Sequence, residues 1–488
     1  MDFSTDLLII GGGVVGCALA REMSRYRLSA VLLERAGDVA EGASKANSGI
    51  IHAGFDAVPG SLKAKYNVEG ARMLPALCEA LGVPWRRNGA LVIGFSEEDR
   101  AVLAELLERG RRNGVEGLRI LERDEVLALE PNLNPEVCCA LEAPTGAIVS
   151  PYELTFALAD DAALNGVDFR LDTAVRRISR REDGTFRVET NRGDWTCRAV
   201  VNCAGASAAE LHNQLSPRKL ENVPRRGQYY LLDRPETLPF QHTVFQCPSR
   251  MGKGVLVTPT VHGNVLLGPS AEDIDDPLDT ATTQDGLDFV LSRARRTWPA
   301  VSTRSNITNF SGIRAHEPGD DFVVGPTEGC PHAWEAVGIE SPGLSSAPVI
   351  ARALAEQIAA ELSLEEKAER VPFRAPSVPF RDLSPEARAA AVKADPRQGV
   401  VVCRCEVVTE AEIREAIRRP VGARSIDAVK RRTRAGMGRC QGGFCSPRVA
   451  AILAEELGLP LTEITKNGGE SFLLTGTLRE EAERSVRE

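Results

Sequence analysis

Apolar residues near the N-terminus form short unbroken runs, and helical spacing follows soon after. Leu7-Leu8-Ile9-Ile10 is an apolar run of buried-strand type. It breaks at Gly11-Gly12-Gly13, and from Val14 to about Tyr26 the pattern is helical, with Ala18, Leu19 and Met23 on one side. Ala30-Val31-Leu32-Leu33 predicts a second strand, closed by Glu34. Strand-like runs recur at Ala199-Val200-Val201, Gln228 to Leu232, Gly254 to Thr258 and Val265 to Gly268. A glycine-bearing turn, Val337 to Leu344, precedes a helical stretch from Ala347 to about Leu362. Pro372, Pro376, Pro379 and Pro385 then punctuate a linker, 370–398. Beyond it, Thr409 with Glu412 three residues on predicts a capping-box start for a helix to about Arg419, stopped by Pro420. Ser425 is placed to cap a second helix. Ser446-Pro447 sets N-cap and N1 of a third, ending at Gly458. No internal repeat or low-complexity tract interrupts this order.

Gly11, Gly13 and Gly16 complete G-x-G-x-x-G between a strand and a helix. Glycine lets the turn be tight and lets backbone approach a pyrophosphate, which the helix N-terminus then faces. Glu34 lies 23 residues after Gly11, near the spacing of an acid that binds a ribose hydroxyl. The pattern alone does not separate FAD from NAD. Two later segments favour FAD. The run Ala199 to Gly205 ends in small residues, past which a cofactor can lie close. The turn Gly338 to Leu344 can direct N–H groups at a flavin ring or ribityl chain. A Rossmann-like start with a late return to such motifs implies a discontinuous flavin domain from about 1–90, 145–215 and 320–365. The pieces near 90–145 and 215–320 would form a substrate-side sheet with helices.

Composition narrows the class. A chain of 488 residues should hold about two to four domains. Its 43% hydrophobic and 26% charged content is that of a globular enzyme. A net charge of −9 disfavours nucleic acid or an anionic membrane as general partner. No signal peptide and no run of eighteen apolar residues is present, so a cytoplasmic location is expected, with membrane association at most peripheral through a partner. The twelve cysteines should then be reduced or metal-bound. Cys17, Cys78, Cys138, Cys139, Cys197, Cys203, Cys247 and Cys330 lack ligand spacing and read as inert thiols. Cys403-x-Cys405 and Cys440-x4-Cys445 differ: two close pairs, 34 residues apart, can converge four thiolates on one centre. Soft sulfur suits zinc or an iron–sulfur cluster, and only the second moves electrons. From Arg418 to Arg439 there are eight basic residues against one acid, Asp427. Such an excess would stabilise an anionic cluster or dock an acidic redox partner.

Together these pieces resemble the glycerol-3-phosphate dehydrogenases and oxidases of the D-amino-acid-oxidase-like FAD superfamily. Ser44 to Asp56, Pro59 to Lys65 and Gly338 to Leu344 carry the resemblance. Cys403-Arg404-Cys405-Glu406 and Arg431 to Cys445 are similar to the C-terminal region of the large subunit of anaerobic glycerol-3-phosphate dehydrogenase. That region belongs to the bacterioferritin-associated-ferredoxin-like (BFD-like) [2Fe-2S] family. The small stand-alone ferredoxins of that family close their second pair as C-x2-C, and the wider C-x4-C here matches the dehydrogenase branch. The resemblance implies an α/β Rossmann-like FAD domain with a mixed-sheet (α+β) substrate domain, plus a small helical C-terminal [2Fe-2S] domain. The expected division is 1–369 for the oxidoreductase, 370–398 linker, 399–460 cluster domain and 461–488 tail.

Oxidising a secondary alcohol requires hydride departure to the flavin and removal of the hydroxyl proton. His52, in a Ser/Gly/Ala-rich stretch, is the leading base, because imidazole titrates near working pH. The resemblance agrees. Arg314 is the first choice for a substrate oxyanion and Lys253 the second, with His316 in support. Expected cofactor contacts are Gly11, Gly13, Val14, Gly16, Glu34, Ser48, Val175, Ala204, Gly205, Gly338, Ile339, Glu340, Gly343 and Leu344. Cys403, Cys405, Cys440 and Cys445 are the expected metal ligands. The implied reaction is sn-glycerol 3-phosphate to dihydroxyacetone phosphate, with electrons passing singly through the cluster to a separate acceptor, an NAD- or quinone-linked flavoprotein or a ferredoxin. Two alternatives stay open: a 2-hydroxy acid such as L-2-hydroxyglutarate as substrate, and a zinc-stapled interaction module in place of the cluster. No Ser/His/Asp triad, HExxH or Walker A pattern occurs.

Overall fold

The computed structural model describes residues 2–248 and 254–476. The strand Asp2–Ile10 runs parallel to Ala30–Leu33 on one side and to Asp194–Asn202 on the other, with Ile10 opposite Leu33 and Asn202. Asp168–Arg170 extends the parallel core, and Ala333–Val337 joins the end of Asp194–Asn202. Antiparallel strands Val175–Arg180, Phe186–Thr190 and Val323–Pro326 complete an eight-stranded mixed sheet. Leu7, Leu8 and Ile9 are fully buried because both faces of the sheet are covered, hence an unbroken apolar run and not an alternating one. The helices Val14–Met23, Pro151–Leu164, Leu62–Leu81 and Gly343–Glu361 supply one cover.

A second, nine-stranded sheet is built mainly from antiparallel pairs. Its longest pair is Val223–Leu232 with Asn306–His316, which places Arg225 opposite Arg314 and Gln228 opposite Ser311. The helix Gln284–Thr297 packs against it through Leu287, Val290 and Ala294. A small sheet of Ile50–Ile51, Ala147–Val149 and Trp85–Arg87 includes the strand that leads into His52. The fold class read from the sequence therefore stands. Element ends differ by a turn or less: the first helix closes at Met23, and the late helix begins at Gly343, where the turn itself already has helical geometry. Among the described residues no helix is long and apolar enough to cross a membrane.

After residue 370 the proline-punctuated stretch holds a ten-residue helix, Pro385–Ala394, capped by Ser384. The cysteine module has two short strands, Val401–Cys403 and Val408–Thr409, and helices Glu410–Arg418, Ile426–Thr433 and Ser446–Leu457. The capping box forms: Glu412 N–H donates to Thr409 Oγ1 at 3.3 Å, and Thr409 N–H donates to Glu412 Oε2 at 2.7 Å. Ser425 caps the second helix, while the N-cap of the third falls on Cys445, one residue before Ser446. Ile413, Ile417, Val429, Ile452 and Leu453 form the module's own core.

The basic stretch, expected to stabilise an anionic cluster or dock an acidic partner, spends six of its eight cations on acids of this same chain. Arg432 grips Asp38 with two hydrogen bonds of 2.6 and 2.7 Å and lies 3.9 Å over the Phe156 ring. Arg431 reaches Asp38 at 3.0 Å and also bonds Glu41. Arg419 meets Asp160, and Arg439 meets Asp233 at 2.7 Å. Glu406, beside Cys405 and buried, accepts from Arg434 at 2.8 Å, Arg381 at 2.9 Å and Arg234 at 3.1 Å. Burial opposes ionisation of Asp38, but the two guanidinium groups outweigh it and hold its pKa below the usual range. A depressed carboxyl contributes stability that is present above the unfolded pKa, about 3.9, and is lost as pH falls through the lower folded value. Docking should therefore be flat from pH 8 to 5 and fail only in stronger acid. Asp38→Asn strands the buried Arg432 guanidinium without a carboxylate and should cost about 3–5 kcal/mol, read as a lowered midpoint in denaturant unfolding with the cluster chromophore as probe.

Candidate functional site

The turn after the first strand is shaped by backbone crowding. A Cβ at Gly11, where φ is +107°, would lie 2.3 Å from the Cys203 carbonyl oxygen, and one at Gly16 would lie 1.9 Å from that of Gly11. Strand end, turn and helix start thus interlock with the strand end at Cys203. Val14 N–H donates to Ser44 Oγ at 2.9 Å, so a hydroxyl from the following loop sits on the helix start. Glu34 accepts from Gly12 N–H at 2.6 Å and from Ala36 N–H at 2.8 Å; burial pushes its carboxyl above the ordinary value.

A cavity of about 1890 Å³ opens from this turn. That exceeds the ~300–1,000 Å³ of ordinary ligand pockets and has room for a dinucleotide with a substrate beyond it. Gly11, Gly13, Val14, Glu34, Ser48, Val175, Ala204, Gly205, Ile339, Glu340, Gly343 and Leu344 border it. Gly16 and Gly338 do not: Gly16 packs on the Gly11 backbone, and Gly338, at φ +70°, turns the chain beside Glu317. The Glu340 carboxylate is committed to Lys63 at 2.9 Å and His316 at 3.1 Å. Lys63 also reaches Asp320, so its ammonium occupies the one place among the described residues where three ligand atoms, from His316, Asp320 and Glu340, converge.

His52 also borders the cavity and is fixed through its backbone. Its N–H donates to Ser345 Oγ at 2.9 Å and its carbonyl accepts from Asn67 at 2.6 Å. Its Nε2 lies 3.4 Å from Ser341 Oγ. Arg314 also borders the cavity, donating to the Ser270 carbonyl at 3.2 Å. Among the described residues no carboxylate lies within ion-pair distance of Arg314, whereas its cross-strand neighbour Arg225 is held by Asp273 at 2.5 Å. Tyr229, stacked on Phe310, brings its hydroxyl to 3.2 Å from Ser48 Oγ. Burial raises its phenol pKa while Arg314 pulls it back. Lys253 lies outside the described residues.

The four clustered cysteines fall into two pairs. Cys405 Sγ is 3.7 Å from Cys440 Sγ, and the Cys403 and Cys445 thiols hydrogen-bond to each other, which holds Cys403 below the usual thiol range against its burial. Among the described residues no three of these sulfurs come within 4.8 Å of one another. A single zinc with bonds of about 2.3 Å would bring all four within about 3.8 Å. Two separated pairs fit a two-iron centre. N–H groups of Phe444, Gly442 and Gly443 aim at Cys440, and those of Gly436 and Glu406 at Cys403, as donors to anionic sulfur. Cys403 and Cys445 are buried, while Cys405 is exposed, as is Phe444, next to Cys445 in the chain and 88% exposed.

Comparison with known proteins agrees with this geometry. Residues 6–357 match the FAD dependent oxidoreductase family. The chain belongs to that family. Residues 401–455 of this oxidoreductase match the BFD-like [2Fe-2S] binding domain, so its cofactors are FAD and a [2Fe-2S] cluster. It is 47% identical to the glycerol 3-phosphate dehydrogenase of Caloramator mitchellensis over 98% of this chain and 100% of that one. It is 34% identical to the glycerol 3-phosphate oxidase of Mycoplasma pneumoniae over 71% and 92%. The structure of L-alpha-glycerophosphate oxidase from that organism, with FAD bound, superposes with a TM-score of 0.73 at 32% identity, covering 77% of this chain and 99% of that one.

Sequence reasoning missed five contributors to the oxidoreductase's cavity. Ser44 stood inside a quoted stretch without a role. Tyr229 lay in a strand-like run with no motif around it. Lys430, Met437 and Gln441 reach the cavity only through docking of the C-terminal module, for which charge complementarity with Asp38 and Asp160 was the sole signal. Gly11→Ala should abolish flavin retention, since its Cβ overlaps a carbonyl; the A450 to A280 ratio of purified protein reads this directly.

Proposed function

We propose that the enzyme oxidises sn-glycerol 3-phosphate to dihydroxyacetone phosphate and delivers the electrons, through its cluster, to a separate acceptor in the cytoplasm. The observation that carries the substrate reading is Arg314, a guanidinium with no carboxylate partner among the described residues, bordering the same cavity as His52. A dianionic phosphate supplies the missing charge, bound in bidentate fashion. With the phosphate so anchored, the C2 hydroxyl is directed toward His52, whose imidazole takes the hydroxyl proton as the C2–H bond breaks. Tyr229 and Ser48 offer hydroxyls to the substrate oxygens from the same wall. Gly11, Gly13, Val14 and Glu34 would hold the dinucleotide, with Ala204, Gly205 and the turn Ile339 to Leu344 along its length. Bound flavin supplies the two-electron acceptor, and a cluster on Cys403, Cys405, Cys440 and Cys445 supplies a one-electron outlet.

The relatives' names support glycerol 3-phosphate. An arginine reads phosphate and carboxylate alike, so the substrate is tested by anaerobic mixing. Glycerol 3-phosphate should bleach the flavin and L-2-hydroxyglutarate should not; the opposite result reverses the assignment. His52→Asn should slow that bleaching by about 10²–10⁴-fold. Arg314→Met should lower kcat/KM by about ten- to a hundredfold, the loss of a charged hydrogen-bonded contact. In Cys440→Ser, bleaching by substrate should persist while turnover with the electron acceptor collapses. Unchanged acceptor turnover would remove the cluster from the route.

A further inference from the structure

Lys430 stands apart from the other cations of its module. Arg418, Arg419, Arg431, Arg432, Arg434 and Arg439 each meet a carboxylate, and Arg424 is open to water. Lys430 is half-buried, has no carboxylate within 4.0 Å among the described residues, and borders the large cavity. Asp427, on the preceding turn, acts on it only at longer range and is itself bonded to Lys466. Burial pushes the Lys430 ammonium below its ordinary value, against the longer-range pull of Asp427 and Cys445. Arg431, the next residue, binds Glu41, three residues before the Ser44 that caps Val14, so the helix that carries Lys430 lies against the loop that bonds the start of the first helix. Arg314 and His52 belong to other walls of the cavity, on the strand Asn306–His316 and after Ile50–Ile51.

We propose that Lys430 is a cofactor-binding residue lent by the [2Fe-2S] module, its ammonium facing the diphosphate of FAD, so that the flavin site is complete only when the two parts of the chain are docked. A diphosphate brings the negative charge that the protein itself withholds there. The inference rests on FAD filling the cavity and is independent of which alcohol is oxidised.

The test is titration of deflavinated full-length protein with FAD, followed by flavin fluorescence, in Lys430→Met and Lys430→Arg variants, with the cluster checked by visible absorbance and EPR. Lys430→Met should bind FAD at least tenfold more weakly, and Lys430→Arg should stay within about threefold of the parent. The Met variant should also lose part of the salt dependence of binding. Parental FAD affinity in a Met variant with an intact cluster would overturn the proposal. If the Met variant does not assemble its cluster, Lys430→Gln against Lys430→Arg decides. Equal affinities overturn the proposal, and tenfold tighter binding by Arg upholds it. A substrate-specific role would change the KM for glycerol 3-phosphate and leave FAD affinity untouched, which also counts against it.

Discussion

The meeting of Asp38 with Arg431 and Arg432 is the interaction on which the rest depends. All three groups are largely withdrawn from water, where each alone would be costly, so the pairing is obligatory once the surfaces approach. Glu406 repeats the logic with one carboxylate and three arginines drawn from the substrate sheet, the linker and the cysteine module. These contacts seat a module with its own small core against the flavin body. They also convert what would be an edge of the cavity into a wall.

That seating joins the two redox sites within one loop. Ala435 to Gln441 leads from the cavity wall, through Met437, to the cysteine pair of the second motif. Tyr152 Oη lies 3.8 Å from Met437 Sδ, so the flavin body and the cluster loop touch where the cavity ends. A covalent chain thus spans the gap that two separate proteins would have to cross by encounter.

Much of this was legible in the sequence, for identifiable reasons. The strand Asp2–Ile10, its glycine turn and Glu34 are local features whose spacing is that of a dinucleotide-binding turn. The capping box at Thr409 and the cysteine pairs are likewise short-range. The basic run was visible, but its target was not, because Asp38 and Asp160 lie hundreds of residues away and look like ordinary surface acids. Gly338 and Gly16 share a motif with cavity residues yet act on backbone, a distinction only tertiary packing makes. Tyr229 alternates along a strand with no sign of which face meets the cavity until the partner strand Asn306–His316 fixes it.

The unequal burial of the two sulfur pairs gives the metal centre a polarity. Cys403 and Cys445 sit inside the module, while Cys405 is open to solvent. A cluster held on these four sulfurs would have one iron shielded, on Cys403 and Cys445, and the other nearer solvent, on Cys405 and Cys440.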